Sequence, residues 1–333
     1  MRVSSATREG VEALRERLVD LARDIAPRDS GQRFRMHVDR AFIIDGLGLV
    51  VTGTVVSGAI GAGDEIQVLP AGRKVRVRSL RANNGEAARA LAGQRCALAL
   101  HGVSRDEVGR GDVIADAGPM PVSKHLDIEA TWFGAPRTRV GLAGVHLGTA
   151  MLQARLSPFG RFARLGFPHG VCAWHGDRLL LRDPGTQRLI GAGVVLDPLP
   201  PQRSAARRER IAGLDAAKAF ARLLEDGVVD LGWFEKAFHV RQPEAADLVE
   251  FPVRGVRHVM RRERWDAECE RLEQAVREWH TARPDSVGPR PAQVGKPFLA
   301  VIDALVEGGR LAREGPNLRV PAHQPVLSAQ DEA

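Results

Sequence analysis

The sequence predicts a mainly β protein with a helical C-terminal part, built from two β-barrels followed by about two winged-helix domains. Three observations lead to this fold class. Residues 31–118 carry short β-type segments between Gly-Asp turns, and residues 119–198 repeat that pattern. After Pro198-Leu199-Pro200-Pro201 the sequence becomes charged and helical. Many short strands at this spacing are typical of small closed barrels.

Residues 31–118 are expected to form the first barrel, barrel 1. Residues 34–39 alternate between apolar and polar side chains, as a half-buried strand does. Residues 49–56 are a β-branched run around Gly53, which suits a strongly bent barrel strand. Further strands are predicted at 65–69, 74–80, 96–100 and 113–115.

Pro119 and Pro121 mark a linker to the second barrel, barrel 2, predicted over 119–198. Its recognisable strands are 127–132, 149–156, 178–182 and 189–196.

Residues 1–27 are interpreted as a strand end and one helix, the C-terminal remnant of a preceding domain. Ser4 or Ser5 is expected to cap the helix, which would end at Pro27. Its apolar residues recur at helical spacing and are Val11, Leu14, Leu18 and Leu21. A lone amphipathic helix has no partner against which to bury them.

The C-terminal part is predicted as winged helices over 199–262 and 263–325, with a tail at 326–333. Helices are expected near 205–226, 230–239, 264–281 and 297–308, and short strands at 251–254, 310–313 and 318–320. Trp233, Phe234 and Phe238 are expected in a winged-helix core rather than on a base-stacking surface.

The charge balance favours a nucleic-acid partner. The formal net charge is +7, and all but five of the 48 basic residues are arginines, which suit phosphate contacts. Abundant Arg, Ala and Gly also fit a genome-wide composition bias, so both explanations stay open.

Several classes of site and location find no support in the sequence. No apolar run reaches the roughly 18 to 20 residues of a membrane span, and residues 1–10 do not form a signal peptide, so we expect a cytoplasmic protein without a membrane partner. Cys96, Cys172 and Cys269 lie too far apart for a metal site and are expected to be free, buried thiols. No catalytic nucleophile is assigned.

The order of motifs in barrel 1 resembles domain 2 of translational GTPases. The motifs Val38-Asp39-Arg40, Thr52-Gly53-Thr54-Val55, Ala92-Gly93-Gln94-Arg95 and Arg110-Gly111-Asp112 resemble the bacterial selenocysteine-specific elongation factor more closely than elongation factor Tu. His146 to Ala150 and the closing segment 181–198 resemble domain 3 of that factor, and paired winged helices resemble its C-terminal arm. The resemblance covers nearly the whole chain.

The chain departs from this family where GTP would bind. The family carries a Gly-rich phosphate loop, an Asp that serves the magnesium site and an Asn-Lys-x-Asp motif, and none of these occurs here. Only Ser5, Ala6 and Thr7, with Ser4, resemble the last guanine-contact loop. The resemblance therefore implies GTP and magnesium as family cofactors but neither for this chain alone, and a fragment that lacks most of the GTPase domain. Whether the chain acts as an enzyme stays open.

The resemblance implies an aminoacyl pocket formed by Asp39, Arg40 and Arg95. A thiol has a pKa of about 8.5 and a selenol is considerably more acidic, so selenocysteine is an anion at neutral pH. Arginine cannot lose its proton, and we assign Arg40 and Arg95 to the selenolate. Asp39 would hold the α-ammonium group or orient an arginine. From spacing alone, a structural Asp-Arg ion pair on the barrel rim is favoured, and the resemblance shifts the preference to the pocket.

The implied partners are selenocysteinyl-tRNA and the ribosome. Arg155, Arg161 and Arg164 are candidates for contacts with the tRNA backbone. The domain that reads the mRNA hairpin in the family would be absent, since about two of four winged helices are predicted. Two other hypotheses remain: a winged-helix DNA-binding regulator with β-barrel domains, and an inactive gene fragment.

Overall fold

A computed structural model describes residues 1–25, 31–202, 205–240, 247–295 and 297–325. The predicted tail at 326–333 and the predicted helix end at Pro27 lie outside these residues. Over the described residues, no helix is both long enough and apolar enough to span a membrane.

The N-terminal helix α1 (Val11–Asp24) begins later than predicted. Its N-cap is Gly10, with no side-chain cap, so capping by Ser4 or Ser5 is wrong. The Ser4 hydroxyl instead accepts a hydrogen bond from the Thr7 amide at 3.2 Å, inside a turn. No strand forms in residues 1–10. None of the residues of α1 is buried, as expected for a helix without a partner.

Barrel 1 is a six-stranded closed sheet with three short additional strands. Around the ring, β1 pairs with β2, β2 with β8, β8 with β5, β5 with β4, β4 with β9 and β9 with β1. Alternate side chains point into the barrel and are fully buried, among them Met36, Val38, Val51 and Leu98. This burial explains why the β period was visible in the sequence. The strands are β1 (Arg35–Ile44), β2 (Gly48–Ser57), β3 (Ala59–Gly61), β4 (Glu65–Leu69), β5 (Arg73–Ala82), β6 (Gly85–Glu86), β7 (Arg89–Leu91), β8 (Arg95–His101) and β9 (Val113–Asp116).

Barrel 2 is also closed, in the strand order β10-β13-β12-β11-β14-β15. Two of its strands, β11 and β13, were not predicted. Gly144 in β11, and Gly166, Pro168 and Gly170 in β13, interrupt the apolar alternation that marks a strand. The strands are β10 (Val122–Trp132), β11 (Gly141–Leu147), β12 (Ala150–Phe159), β13 (Phe162–Cys172), β14 (Arg178–Arg182) and β15 (Leu189–Asp197).

The C-terminal arm, the described residues from 199 to 325, is mainly helical. The helix predicted over 205–226 is two helices, because Gly213 adopts a left-handed conformation and Asp215 caps a new helix. Helices followed by a short hairpin occur twice, as predicted, while the winged-helix assignment itself stays a prediction. The elements are α2 (Ala205–Ile211), α3 (Ala216–Asp226), β16 (Val229–Asp230), α4 (Leu231–Phe238), β17 (Leu248–Val253), β18 (Val256–Arg261), α5 (Arg262–Ala282), α6 (Leu299–Glu307), β19 (Ala312–Glu314) and β20 (Asn317–Arg319).

An aromatic core joins the arm to barrel 2. Phe234 is fully buried and stacks on Phe238 at a centroid distance of 4.4 Å, and both pack in one cluster with Phe162 and Leu196 of the barrel. Trp233 belongs to the same cluster, so the prediction that these aromatic residues form a core is confirmed. All three cysteines are free and buried, as predicted.

Two fully buried carboxylates reinforce this junction. Asp127 accepts hydrogen bonds from Arg164 and from Arg208 of α2 at 2.7 and 2.8 Å. Asp197 accepts hydrogen bonds from the Trp233 indole and Arg207 at 3.0 and 3.1 Å. Burial of a charge is tolerated only where such partners satisfy it. The last strand of barrel 2 and the first helices of the arm are thus joined by ionic contacts as well as by apolar packing.

Barrel 1 contacts barrel 2 through apolar packing and an ion pair. Leu69 and Val113 pack with Cys172 and Trp174. The Arg35 guanidinium, 14% exposed, forms an ion pair with Asp177 at 2.7 Å.

Candidate aminoacyl-binding site

A β-bulge in β1 positions the predicted site residues. Val38 is paired with Gly53 and Arg40 with Thr52, so Asp39 between them has no partner on β2. The bulge is held from the far side, where the Val38 carbonyl accepts hydrogen bonds from the Thr149 hydroxyl at 2.7 Å and from the Gly111 amide at 3.1 Å. Contacts from barrel 2 therefore help to fix the direction of the Asp39 side chain.

Asp39 binds an arginine and a hydroxyl of its own barrel. The two Arg95 Nη groups donate to Oδ2 and Oδ1 at 2.5 and 3.1 Å, and the Thr52 hydroxyl donates to Oδ1 at 2.6 Å. Burial raises the pKa of the Asp39 carboxyl, but the hydrogen bonds from Arg95 and Thr52 outweigh it and lower the pKa below its ordinary value. Both the predicted ion pair and the predicted orientation of an arginine by Asp39 are therefore present.

Arg40 lies on the same outward face as these groups. It is paired with Thr52, and residues paired across neighbouring strands point to the same side of a sheet. Its side chain is exposed and makes no hydrogen bond or ion pair with the described part of the chain. The two arginines assigned to the selenolate are thus on one side of barrel 1, and of these Arg95 is the one that forms an ion pair with Asp39.

A cavity of about 420 Å³ opens on this outward face, between β1, β2, β5 and β8. We call it the barrel-1 cavity. Arg81, Arg95, Thr52, Ser79 and Asn84 supply its polar atoms. The Cys96 thiol also lines the cavity, and burial raises its pKa to about 12. The rest of the wall is apolar and is formed by Phe42, Ile44, Leu47, Val50, Leu80, Ala97 and Ala99. An apolar cavity with few converging polar groups is the usual form of a small-ligand site.

The Asp39–Arg95 pair predicts a pH-dependent stability. Because the folded-state pKa of Asp39 is lowered, the pair stabilises the fold above the unfolded pKa of about 3.9 and loses this effect as the pH falls through the folded value. We expect Asp39→Asn to lower the free energy of unfolding by at most about 1 kcal/mol at neutral pH, since Arg95 is 53% exposed. Urea unfolding should show the difference shrinking below about pH 4. The exposed Asp45→Asn is the control, and a difference that grows in acid would contradict the pairing.

The three arginines predicted to contact tRNA differ in their surroundings. Arg155 on β12 is exposed and makes no hydrogen bond or ion pair within the described residues. Arg161 is 54% exposed and pairs with Glu129 and Glu209 at 3.1 and 2.6 Å. Arg164 is 22% exposed and is held by Asp127 and by the Pro201 carbonyl. Arg164 therefore has partners inside the protein, and tRNA contact stays a prediction for all three arginines.

The residues that resemble a guanine loop, Ser5, Ala6 and Thr7, form a turn before α1. The Thr7 hydroxyl accepts a hydrogen bond from the Glu9 amide at 3.4 Å. No group of three or more His, Cys, Asp or Glu side chains that could hold a metal ion occurs in the described ranges.

Sequence reasoning missed Thr52 and Arg81 as site residues. Thr52 lies within a motif that was singled out, and Arg81 lies in a strand that was predicted to end at residue 80. The available signal is that Thr52 and Arg81 lie at outward positions of β2 and β5. Only the pairing register of the strands shows that these positions face one cavity.

Comparison with known proteins places both barrels in the elongation-factor class. Residues 48–115 match the family model for elongation factor Tu domain 2, and residues 141–202 match the model for the β-barrel domain of the selenocysteine-specific elongation factor. A crystal structure of a bacterial selenocysteine-specific elongation factor superposes with a TM-score of 0.71 at 20% identity, covering 96% of this chain and 55% of that one.

Curated relatives give the particular family. The selenocysteine-specific elongation factor of Escherichia coli is 32% identical over 75% of this chain and 42% of the relative. That of Desulfomicrobium baculatum is 32% identical over 59% of this chain and 33% of the relative. The chain belongs to the family of selenocysteine-specific elongation factors, and it spans less than half the length of these two relatives.

Proposed function

We propose that this chain binds selenocysteinyl-tRNA for delivery to the ribosome at UGA codons, with the aminoacyl end at the barrel-1 cavity. The observation that carries this proposal is that Arg95, bound by Asp39, lines that cavity, while Arg40 lies on the same outward face of barrel 1. Arg95 is oriented by Asp39, and Arg40 is exposed and makes no ion pair with the residues that the structure describes. Fixed guanidinium groups favour a selenolate over a neutral serine side chain of similar size.

Barrel 2 would contact the tRNA body. Arg155 is exposed and makes no ion pair with the described residues, and Arg161 is half-exposed although it pairs with Glu129 and Glu209, so both can reach phosphates. RNA duplexes are bound mainly through such backbone contacts. We assign no contact with the mRNA hairpin to this chain.

GTP would be bound by residues other than these 333. The sequence contains no Gly-rich phosphate loop and no Asn-Lys-x-Asp motif. A selenocysteine-specific factor from Methanococcus maripaludis, which shares the fold at 23% identity and a TM-score of 0.51, has been solved in complex with the GTP analogue GppNHp. We propose that this chain alone hydrolyses no GTP, and that GTP and magnesium act through a GTPase domain.

Binding to one tRNA body that carries either selenocysteine or serine tests the proposal. We expect tighter binding of the selenocysteinyl form, and a loss of about tenfold or more for Arg95→Ala or Arg40→Ala, because a hydrogen bond to a charged group contributes about 1.5–3 kcal/mol. Filter binding under reducing conditions measures both affinities.

Arg89→Ala is the matched control, since Arg89 is exposed on barrel 1 and does not line the cavity. Equal affinity for the two aminoacyl forms would contradict the proposal. Tighter binding of duplex DNA than of tRNA would favour the winged-helix DNA-binding regulator, and no binding to either would favour an inactive chain.

A further inference from the structure

A row of paired residues crosses the outward face of barrel 1 and ends in an arginine at each side. Arg40 on β1 pairs with Thr52 on β2, Thr52 with Ala97 on β8, and Ala97 with Arg81 on β5. Neighbouring strands lie about 4.8 Å apart, which places the Cα atoms of Arg40 and Arg81 about 14 Å from each other. The small side chains of Thr52 and Ala97 form the floor between them.

Arg95 lies on the adjacent row of β8, two residues before Ala97. It pairs with Thr54 and projects to the same face, so it is a diagonal neighbour of Arg81, at a separation of about 7–8 Å between backbone positions. Arg81 and Arg95 both line the barrel-1 cavity. Two guanidinium groups therefore enter one cavity from neighbouring strands.

These two arginines differ in the charge that they leave for a ligand. Arg95 is neutralised by both oxygens of Asp39. Arg81 donates to the Asn84 carbonyl at 3.2 Å, and within the described part of the chain it forms no ion pair, not even with its cross-strand neighbour Glu86. The wall of the cavity contains no carboxylate among the described residues. Among the described residues that line the cavity, Arg81 is thus the charged group without an ion-pair partner.

We propose that Arg81 is a specificity-determining residue, whose uncompensated guanidinium in the barrel-1 cavity selects an anionic aminoacyl side chain over a neutral one. This inference rests on the proposed function and extends it to a residue outside the Asp39, Arg40 and Arg95 set. The ligand group is a selenolate, and a thiolate would satisfy the same chemistry. Arg95, oriented by Asp39, then acts as a hydrogen-bond donor, while Arg81 and Arg40 supply the charge.

The test compares three hydrolysis-resistant, amide-linked aminoacyl-tRNAs that share one tRNA body and carry selenocysteine, cysteine or serine. A cysteine thiol with a pKa of about 8.5 becomes a thiolate between about pH 7 and pH 9.5. For the unmodified chain, we expect the affinity for the cysteinyl form to rise over this range toward that of the selenocysteinyl form. The affinity for the seryl form sets the baseline at each pH.

Arg81→Gln should lower the affinity for the selenocysteinyl form about tenfold, leave the seryl form unchanged and reduce the rise for the cysteinyl form. Arg81→Lys should retain part of the discrimination because it keeps the charge. The matched control is Arg76→Gln on the same strand, whose arginine is 63% exposed, pairs with Glu65 and does not line the cavity. Unchanged thermal unfolding of each variant shows that the fold is intact.

An equal loss of affinity for all three forms in Arg81→Gln would overturn the inference, since Arg81 would then hold the tRNA end rather than read the side chain. In that case the discrimination by the unmodified chain would survive, and the proposed function with it. An unmodified chain that binds the selenocysteinyl and seryl forms equally would overturn the proposed function itself.

Discussion

Asp127→Ala should lower the free energy of unfolding by about 3–5 kcal/mol, because it removes one partner of a buried ionic cluster. Asp127 is fully buried on β10 and accepts hydrogen bonds from Arg164 Nε, Arg164 Nη2 and Arg208 Nη1 at 2.7, 3.0 and 2.8 Å. Without the carboxylate, two guanidiniums that are only 22% and 12% exposed would remain in place. Neither could regain full hydration without separating the arm from barrel 2.

Urea unfolding followed by tryptophan fluorescence measures this loss. Glu129→Ala is the matched control, because Glu129 lies on the same strand and pairs with the half-exposed Arg161. A surface pair of that kind contributes at most about 1 kcal/mol. Similar losses of unfolding free energy in the two variants would contradict the prediction, because they would show that the buried Asp127 contacts stabilise the fold no more than a surface ion pair does.

Gly53→Ala should strongly destabilise barrel 1, with an expected loss of about 3 kcal/mol. A Cβ atom at this position would lie 2.1 Å from the His37 carbonyl oxygen and 2.8 Å from Met36 Cγ. The first contact is with backbone, so no side-chain rotation relieves it. Strand β1 would have to move away from β2 at the pairs that flank the Asp39 bulge.

The same variant is therefore expected to weaken selenocysteinyl-tRNA binding, since Asp39, Arg40 and Thr52 depend on this register. Thermal unfolding and filter binding measure the two effects. Gly109→Ala serves as the control, because a Cβ there would meet nothing within 4 Å. Normal stability together with normal binding in Gly53→Ala would contradict the close approach of the two strands.

The fold was predictable where apolar residues alternate without interruption. The strand predicted at 65–69 agrees with β4 (Glu65–Leu69), and the strand predicted at 178–182 agrees with β14 (Arg178–Arg182). β13 was not predicted, because its glycines and proline weaken the β pattern and its stability comes from pairing with β10 and β12. Such pairing is a long-range property that a local pattern does not contain.

The site was predictable only in part. Asp39, Arg40 and Arg95 followed from resemblance to a family, and the contact of Asp39 with Arg95 was one of the alternatives that the sequence left open. The role of Arg81 could not be predicted, because bulges in β1 and β5 shift the in-out alternation of each strand. A shift of one residue moves side chains to the opposite face, and only the register reveals it.

The junction between barrel 2 and the C-terminal arm has a mechanical consequence. The connecting segment around Pro198-Leu199-Pro200-Pro201 would serve as a hinge if only the chain crossed it. Asp197 instead binds the indole of Trp233, and Arg207 lies 4.2 Å from the centre of the Trp233 ring, so the first helices of the arm are fixed to the barrel wall. A force on that part of the arm would therefore move barrel 2 together with it, because the proline segment does not act as a hinge.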